Sequence, residues 1–212
     1  IITGLVGSEM CIRDRAKPLS IIHPTAIIED GAKIGNSCKI GPYCCIGSAV
    51  TLDDNVILES HVAISGKTFI GKGTKVWPFA SIGSDPQDLK YSGEKTTLTI
   101  GQNNFIRECV SISIGTAGGG GNTIIGDNCL FMLGSHVGHD CKLGSNIVIA
   151  NNSAIAGHVV IEDNVNIGGL VGVHQFCRLG EGSMIGAHAM VSKDVIPYSM
   201  IIGMRPVLSG VN

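Results

Sequence analysis

Aromatic residues are scarce: Trp 1, Tyr 3 and Phe 5 in 212 residues. A core must therefore be built from aliphatic side chains. Charge of either sign is thin at 15%, and the net charge of −2 leaves no basic footprint, so nucleic acid is not an expected partner. No stretch approaches the roughly 20 apolar residues of a transmembrane span, so no transmembrane segment is expected. Cysteine is present eight times, but without a CxxC or any other metal-ligand spacing. Cys38, Cys44, Cys129, Cys141 and Cys177 fall at one recurring position, where a thiol is a compact apolar filler. Reduced cysteines predict a cytoplasmic location. The order of charge, apolar run and small residue that marks a signal peptide is also missing from the first residues.

What is present is a period. A branched aliphatic recurs every six residues from Ile22 through Ile34, Ile40, Leu52 and Leu58 to Ile82, again at Ile100, Ile106 and Ile112, and from Ile125 through Val137, Leu143, Ile155 and Val173 to Val191. Phe131 is the single departure in these runs. Glycine often follows, as in Ile34-Gly35, Ile40-Gly41 and Leu143-Gly144. Four residues after the aliphatic sits a small or β-branched residue, such as Ala26, Cys38, Val56 or Ser153. A six-residue repeat of this kind predicts a parallel β-helix, an all-β solenoid in one domain. With three hexads per triangular coil, residues n and n+18 stack at the strand spacing of ~4.8 Å.

The repeat divides the chain. Residues 1–15 (IITGLVGSEMCIRDR) stay out of it and are expected to be a non-native extension, with the native start near Ala16. Residues 16–196 form the β-helix. Two external loops interrupt it: 83–99, polar and carrying Pro86 and Gly93, and 113–123, with four consecutive glycines. Insertions expelled from a solenoid commonly lie on its binding face. Two prolines and two glycines then mark 197–212 as an exit from the stack.

Histidines gather in the last third. Folding at 18 residues per coil stacks His139 under Gly157 and Gln175, Asp140 under His158 and Phe176, and Ala156 under His174. His139, His158 and His174 then occupy adjacent columns on successive coils, within roughly 10 Å. His136 lies close by. None is at an inward position. Imidazole suits general-base work on a hydroxyl, and a carboxylate beside it can hold the tautomer. Adjacent strand residues point oppositely, so Asp140 serves His139 only if the backbone turns there. Catalysis, metal ligation and plain surface decoration all remain readings of this cluster at this point.

The blocks IHPTAII (22–28), QDLKY (87–91), IRE (106–108), the glycine-rich insertion, HVGHDC (136–141), ANNSAIAGHV (150–159) and IGGLVGVHQFC (167–177) closely resemble the family of acyl-carrier-protein–UDP-N-acetylglucosamine O-acyltransferases of bacterial lipid A synthesis. The resemblance spans about residues 16–212. It implies a left-handed parallel β-helix, an exception to the usual right-handed crossover. It implies a homotrimer with sites between subunits, in the cytoplasm of a bacterium of Gram-negative type. The reaction would move an R-3-hydroxyacyl group from acyl carrier protein to the 3-hydroxyl of UDP-N-acetylglucosamine, with no cofactor and no metal.

By the same resemblance His139 is the general base, Asp140 its orienting partner and the Gly157 N–H the oxyanion donor. Asp88, Lys90, His136, His158, His174 and Gln175 are substrate contacts. Ala187, with His188 and Arg205, sets acyl-chain length. The family also carries a C-terminal helical domain, toward which 197–212 would lead, and often a basic dipeptide where Ser113-Ile114 stand here. Rival readings are the N-acyltransferase of the same pathway, a hexapeptide carbonic anhydrase with three histidines on zinc, and a structural or ice-binding β-helix. The last of these wants a flat threonine-rich face.

Overall fold

A computed structural model describes residues 19–204 and 207–212. Its strands are mostly two residues long, separated by tight turns, and they wind into three parallel sheets that form the faces of a triangular prism. Among the described residues the first face has eleven strands, from Ile21–Ile22 to Val207–Val211. The second has nine, from Ile27–Ile28 to Met190–Val191. The third has eight, from Lys33–Ile34 to Arg178–Leu179. The fold is a left-handed parallel β-helix, as the repeat and the resemblance predict.

Register follows the hexads. Along the second face His136 pairs with Ala154, Ala154 with Gly172, and Gly172 with Met190, each step 18 residues. The hexad aliphatics point inward and stack: Leu58, Ile64, Ile82, Ile106, Ile155 and Ile185 are fully buried. Burying each such side chain stabilises the coil by ~1.5–3 kcal/mol over leaving it exposed. Phe131 is accommodated in the same line and is also fully buried. The predicted filler cysteines are buried and free. Burial pushes the thiols of Cys129 and Cys141 up to about 11 and about 12, so they stay protonated and inert.

Each coil turns three corners, and the corners use left-handed backbone. Between the third and first faces the corner residues are Ser37, Asn55, Asn103, Asn128, Asn146 and Asn164, with Gly73 and Gly182 in the same column, all at φ between 53° and 70°. Asparagine tolerates this conformation better than most residues. Between the first and second faces the column carries Tyr43, His61 and Phe79, whose rings pile at 5.0 Å centroid spacing.

Both insertions leave the prism at the remaining corner, between the second and third faces. Ser81 pairs with Ser111 thirty residues on, and Ser111 with His136 twenty-five residues on, so the two coils absorb extra chain without losing register. The loops are narrower than the sequence suggests. The strand Ser81–Ser84 reaches into the first, and Thr97–Ile100 begins before its expected end, because Leu98 alternates inward and is fully buried. Likewise Ser111–Ser113 and Asn122–Ile125 claim both ends of the second. Residues 197–212 do not simply leave. Ser199–Ile202 adds one more parallel strand to the first face, and Val207–Val211 folds back antiparallel on it.

Candidate active site

The second–third corner is where the histidines assemble. The strand His136–Val137 enters it on the second face, and Lys142–Leu143 leaves it on the third. Between them Asp140 adopts φ 58°, so the backbone turns at the point where the pair needs it. His139 Nδ1 lies 2.8 Å from Asp140 Oδ2. The Asp140 side chain is completely buried and that of His139 is 15% exposed. An ionised carboxylate only accepts, so this contact places the proton on Nδ1 and leaves Nε2 with a free lone pair.

Asp140 is held from the glycine-rich insertion. The Thr116 backbone N–H donates to its two oxygens at 2.9 and 3.1 Å, and Thr116 Oγ1 donates to Oδ2 at 2.6 Å. The Asp140 N–H in turn donates to Thr123 Oγ1 at 2.9 Å. Burial alone would raise the Asp140 pKa. The bonds from Thr116 and His139 outweigh it and hold the carboxyl below the usual range. Asp140 is therefore an anion at neutral pH.

Gly157 packs directly on the His139 ring. A Cβ there would lie 2.7 Å from both Nε2 and Cε1, so only glycine allows the approach. Among the described residues the Gly157 N–H has no hydrogen-bond acceptor. One coil on, His158 sits at φ 63°, edge-on to His139 at 4.9 Å between centroids, and lies flat on Phe176 at 4.4 Å. His136 is half-buried, with Nδ1 2.8 Å from Ser111 Oγ. Burial, and then the charge of His139, depress its pKa.

A groove of about 490 Å³ runs across the second face past this corner. His136, His139, Gly157, His174 and Gln175 line it. Its floor is small because the outward positions there are Ala154 and Gly172, with Ala156 at the edge. A larger cavity of about 640 Å³ lies round Val195, Ile196, Ile201 and Leu208 at the last coil. Among the described residues it holds none of the predicted site residues.

Not every expected residue joins the groove. His158 stands behind His139 and does not line it. Asp88 and Lys90 lie in the first loop, where Asp88 accepts the Lys90 N–H at 3.0 Å, and neither lines the groove; their neighbour Gln87 does. Ala187 and His188 occupy the first–second corner, at the far edge of the second face, six residues of chain from the column of His139 and at most ~20 Å away. Arg205 falls outside the described residues. The sequence reading missed Gln87, Ser111, Ser113, Thr116 and Met190. Ser111 stacks under His136 only once the insertion is known to lengthen that coil, which an 18-residue fold of the sequence conceals.

The ligating atoms of His139, Asp140 and His158 come within 4.8 Å of one another. Both Asp140 oxygens, however, already accept hydrogen bonds from Thr116, and one also faces His139. Zinc needs its donors converging at ~2 Å. The arrangement is that of a hydrogen-bonded histidine–aspartate pair at the wall of an apolar groove.

Comparison with known proteins gives the same answer. A model of the bacterial transferase hexapeptide family, with six repeats, matches residues 31–66, 122–157 and 158–193. The acyl-(acyl-carrier-protein)–UDP-N-acetylglucosamine O-acyltransferase of Paracoccus denitrificans is 57% identical over 137 residues, covering 65% of this chain and 52% of its own length. The chain thus spans about half the length of the curated relatives it matches. The UDP-N-acetylglucosamine acyltransferase structure from Francisella novicida superposes with a TM-score of 0.89 at 44% identity, covering 91% of this chain and 71% of that one. That from Campylobacter jejuni gives 0.88 at 40%, covering 91% and 75%. Repeat, fold, histidine corner and relatives coincide: the chain belongs to the hexapeptide-repeat transferases and, within them, to the UDP-N-acetylglucosamine O-acyltransferase family.

Proposed function

We propose that the chain transfers an R-3-hydroxyacyl group from acyl carrier protein to the 3-hydroxyl of UDP-N-acetylglucosamine, the first step of lipid A synthesis, in the bacterial cytoplasm. The observation that carries this is the His139–Asp140 pair, 2.8 Å apart and packed under Gly157 at the groove wall. His139 Nε2 takes the proton of the sugar hydroxyl. The hydroxyl oxygen bonds to the thioester carbonyl carbon, and the carbonyl π electrons move onto its oxygen. The Gly157 N–H receives that oxyanion. Collapse breaks the carbon–sulfur bond, and the departing pantetheine thiolate takes the proton back from His139. Asp140 holds the imidazolium in between. Asp88, Lys90, His136, His158, His174 and Gln175 contact substrate. No cofactor or metal enters this sequence.

Homotrimer formation completes the site. Ala187 and His188 sit across the second face from their own His139, so a neighbouring copy is what brings Ala187 to the groove, where its methyl limits acyl length. Arg205 belongs to the same limit. A methylene in such a slot discriminates by ~1–3 kcal/mol. Ala187→Gly should therefore favour longer hydroxyacyl chains and Ala187→Met shorter ones.

The test is an assay with hydroxyacyl thioesters of several lengths on acyl carrier protein. The expected result is thiol release that requires UDP-N-acetylglucosamine, from a species that sediments as a trimer. Thiol release independent of the sugar nucleotide, or full activity in a monomer, would overturn the reading.

A further inference from the structure

We propose that Thr116 is a positioning residue for the His139–Asp140 pair, and that the glycine-rich insertion exists to close over the Asp140 carboxyl and deliver it. This rests on the acyl-transfer reading for its kinetic consequence, but not for its geometry.

The insertion is built tightly round one threonine. The Gly119 and Gly121 N–H groups donate to the Thr116 carbonyl at 3.1 and 2.9 Å, which folds the loop back on itself. The loop is pinned at its base by Gly115 N–H to the Thr97 carbonyl at 3.2 Å and Thr97 N–H to the Gly121 carbonyl at 2.9 Å. Gly120 and Gly121 take φ 102° and 84°, which side chains rarely adopt. A Cβ on Gly119 would overlap the Asp140 carboxyl itself. The closure leaves Thr116 6% exposed, with its N–H and hydroxyl both aimed at Asp140. Asp140 is thus clamped on one side by Thr116 and on the other by His139 Nδ1.

The clamp does two things. It fixes the carboxylate where the turn at Asp140 alone would leave a freely rotating side chain. It also draws off part of the negative charge that would otherwise act on His139. Other groups facing the pair are His158, edge-on to His139, His136, which feels its charge, and the Cys141 thiol, which stays protonated. None of these donates to Asp140 among the described residues.

Thr116→Val keeps the backbone donor and the volume but removes the hydroxyl. Asp140 then presents more charge to His139, which stabilises the imidazolium. The acidic limb of the kcat/KM profile should move to higher pH. Each unit of that move removes about tenfold of the rate at a neutral pH below the limb. The loss should fade at alkaline pH, and Thr116→Ser should restore the wild-type profile. Gly119→Ala should reproduce a loss by displacing the carboxyl. In parallel, the His139 ring is titrated by NMR in the full chain without substrate. Its midpoint should rise in Thr116→Val and return in Thr116→Ser. A midpoint that moves while even the wild type transfers no acyl group supports the positioning role and refutes the acyl-transfer reading. A rate loss equal at every pH with an unmoved midpoint overturns the proposal. So does Thr116→Ser behaving like Thr116→Val, because packing of the methyl would then be the cause.

Discussion

The asparagine corner and the histidine corner bend the same backbone through the same left-handed angle, with opposite choices of residue. At the first, Asn128, Asn146 and Asn164 repeat at φ 56–61°, and neighbouring side chains bond along the column, as Asn146 Nδ2 does to Asn164 Oδ1 at 3.2 Å. At the second, the equivalent positions hold Asp140, His158 and Phe176 at φ 58–68°. A bulky residue in this region costs of order 1–3 kcal/mol unless its surroundings hold it there. Phe176 is held by nothing in the core, since it is exposed and rests on His158. Bulky residues take the same left-handed angle at the first–second corner too, at Tyr43, His61 and Phe79, so what sets the histidine corner apart is that the groove, both insertions and the His–Asp pair meet there.

The strongest way to test that contrast is to remove the chemistry and keep the corner. His139→Ala leaves Asp140 and its turn in place. It should lower acyl transfer ~10²–10⁴-fold, the usual loss with a general base, while the thermal midpoint and the oligomeric state stay unchanged. Activity near wild type would return the histidines to decoration.

Next comes an exchange between the corners. Asn146→Phe puts a ring where the fold offers no partner, and should destabilise by ~1–2 kcal/mol on chemical denaturation with kcat unaltered. Phe176→Asn relieves the backbone but forfeits the stack on His158, a contact of ~0.5–1.5 kcal/mol. Its net stability should therefore hardly change, while its turnover falls. If both exchanges altered stability alone, the second corner would have no functional distinction.

The smallest effect is a pH dependence. Burial depresses the His136 pKa in the folded state. The unfolded chain then binds the proton more readily, so the stability tied to His136 is complete above its unfolded value of ~6.5 and is lost as pH falls through the folded one. Between pH 7.5 and 5.5 the wild type should lose more thermal stability than His136→Gln. Equal losses would show that Ser111 and the groove leave His136 effectively solvated.

Much of this was legible in the residues alone. Ile34, Ile40 and Leu58 announce the coil because an inward position recurs at a fixed interval and is filled by branched aliphatics, Phe131 apart. His139 and Gly157 could be aligned by counting, since no insertion separates their coils. Ser111 and Thr116 could not, because loop length is free in a solenoid and only the folded register says which residues it brings opposite His136 and Asp140. Asn122 and Leu98 look like loop in the sequence because polar neighbours hide a strand whose alternate residues face out. Ala187 was placed by resemblance alone, and the single chain keeps it apart from His139 for a geometric reason: the two belong to opposite edges of one flat face.

The 18-residue register also makes length itself discrete. Removing residues 36–53 would delete one turn of the prism and return every later side chain to the face it now occupies. Removing 17 or 19 would set the next strand one residue out of step and turn its buried aliphatic outward, unless a corner loop took up the difference as the two insertions do. The rod can therefore be shortened or extended as one edits a screw thread, by whole pitches. The groove at His139, built from coils that begin at Ser81, would register the change only as a new distance from the other end of the rod.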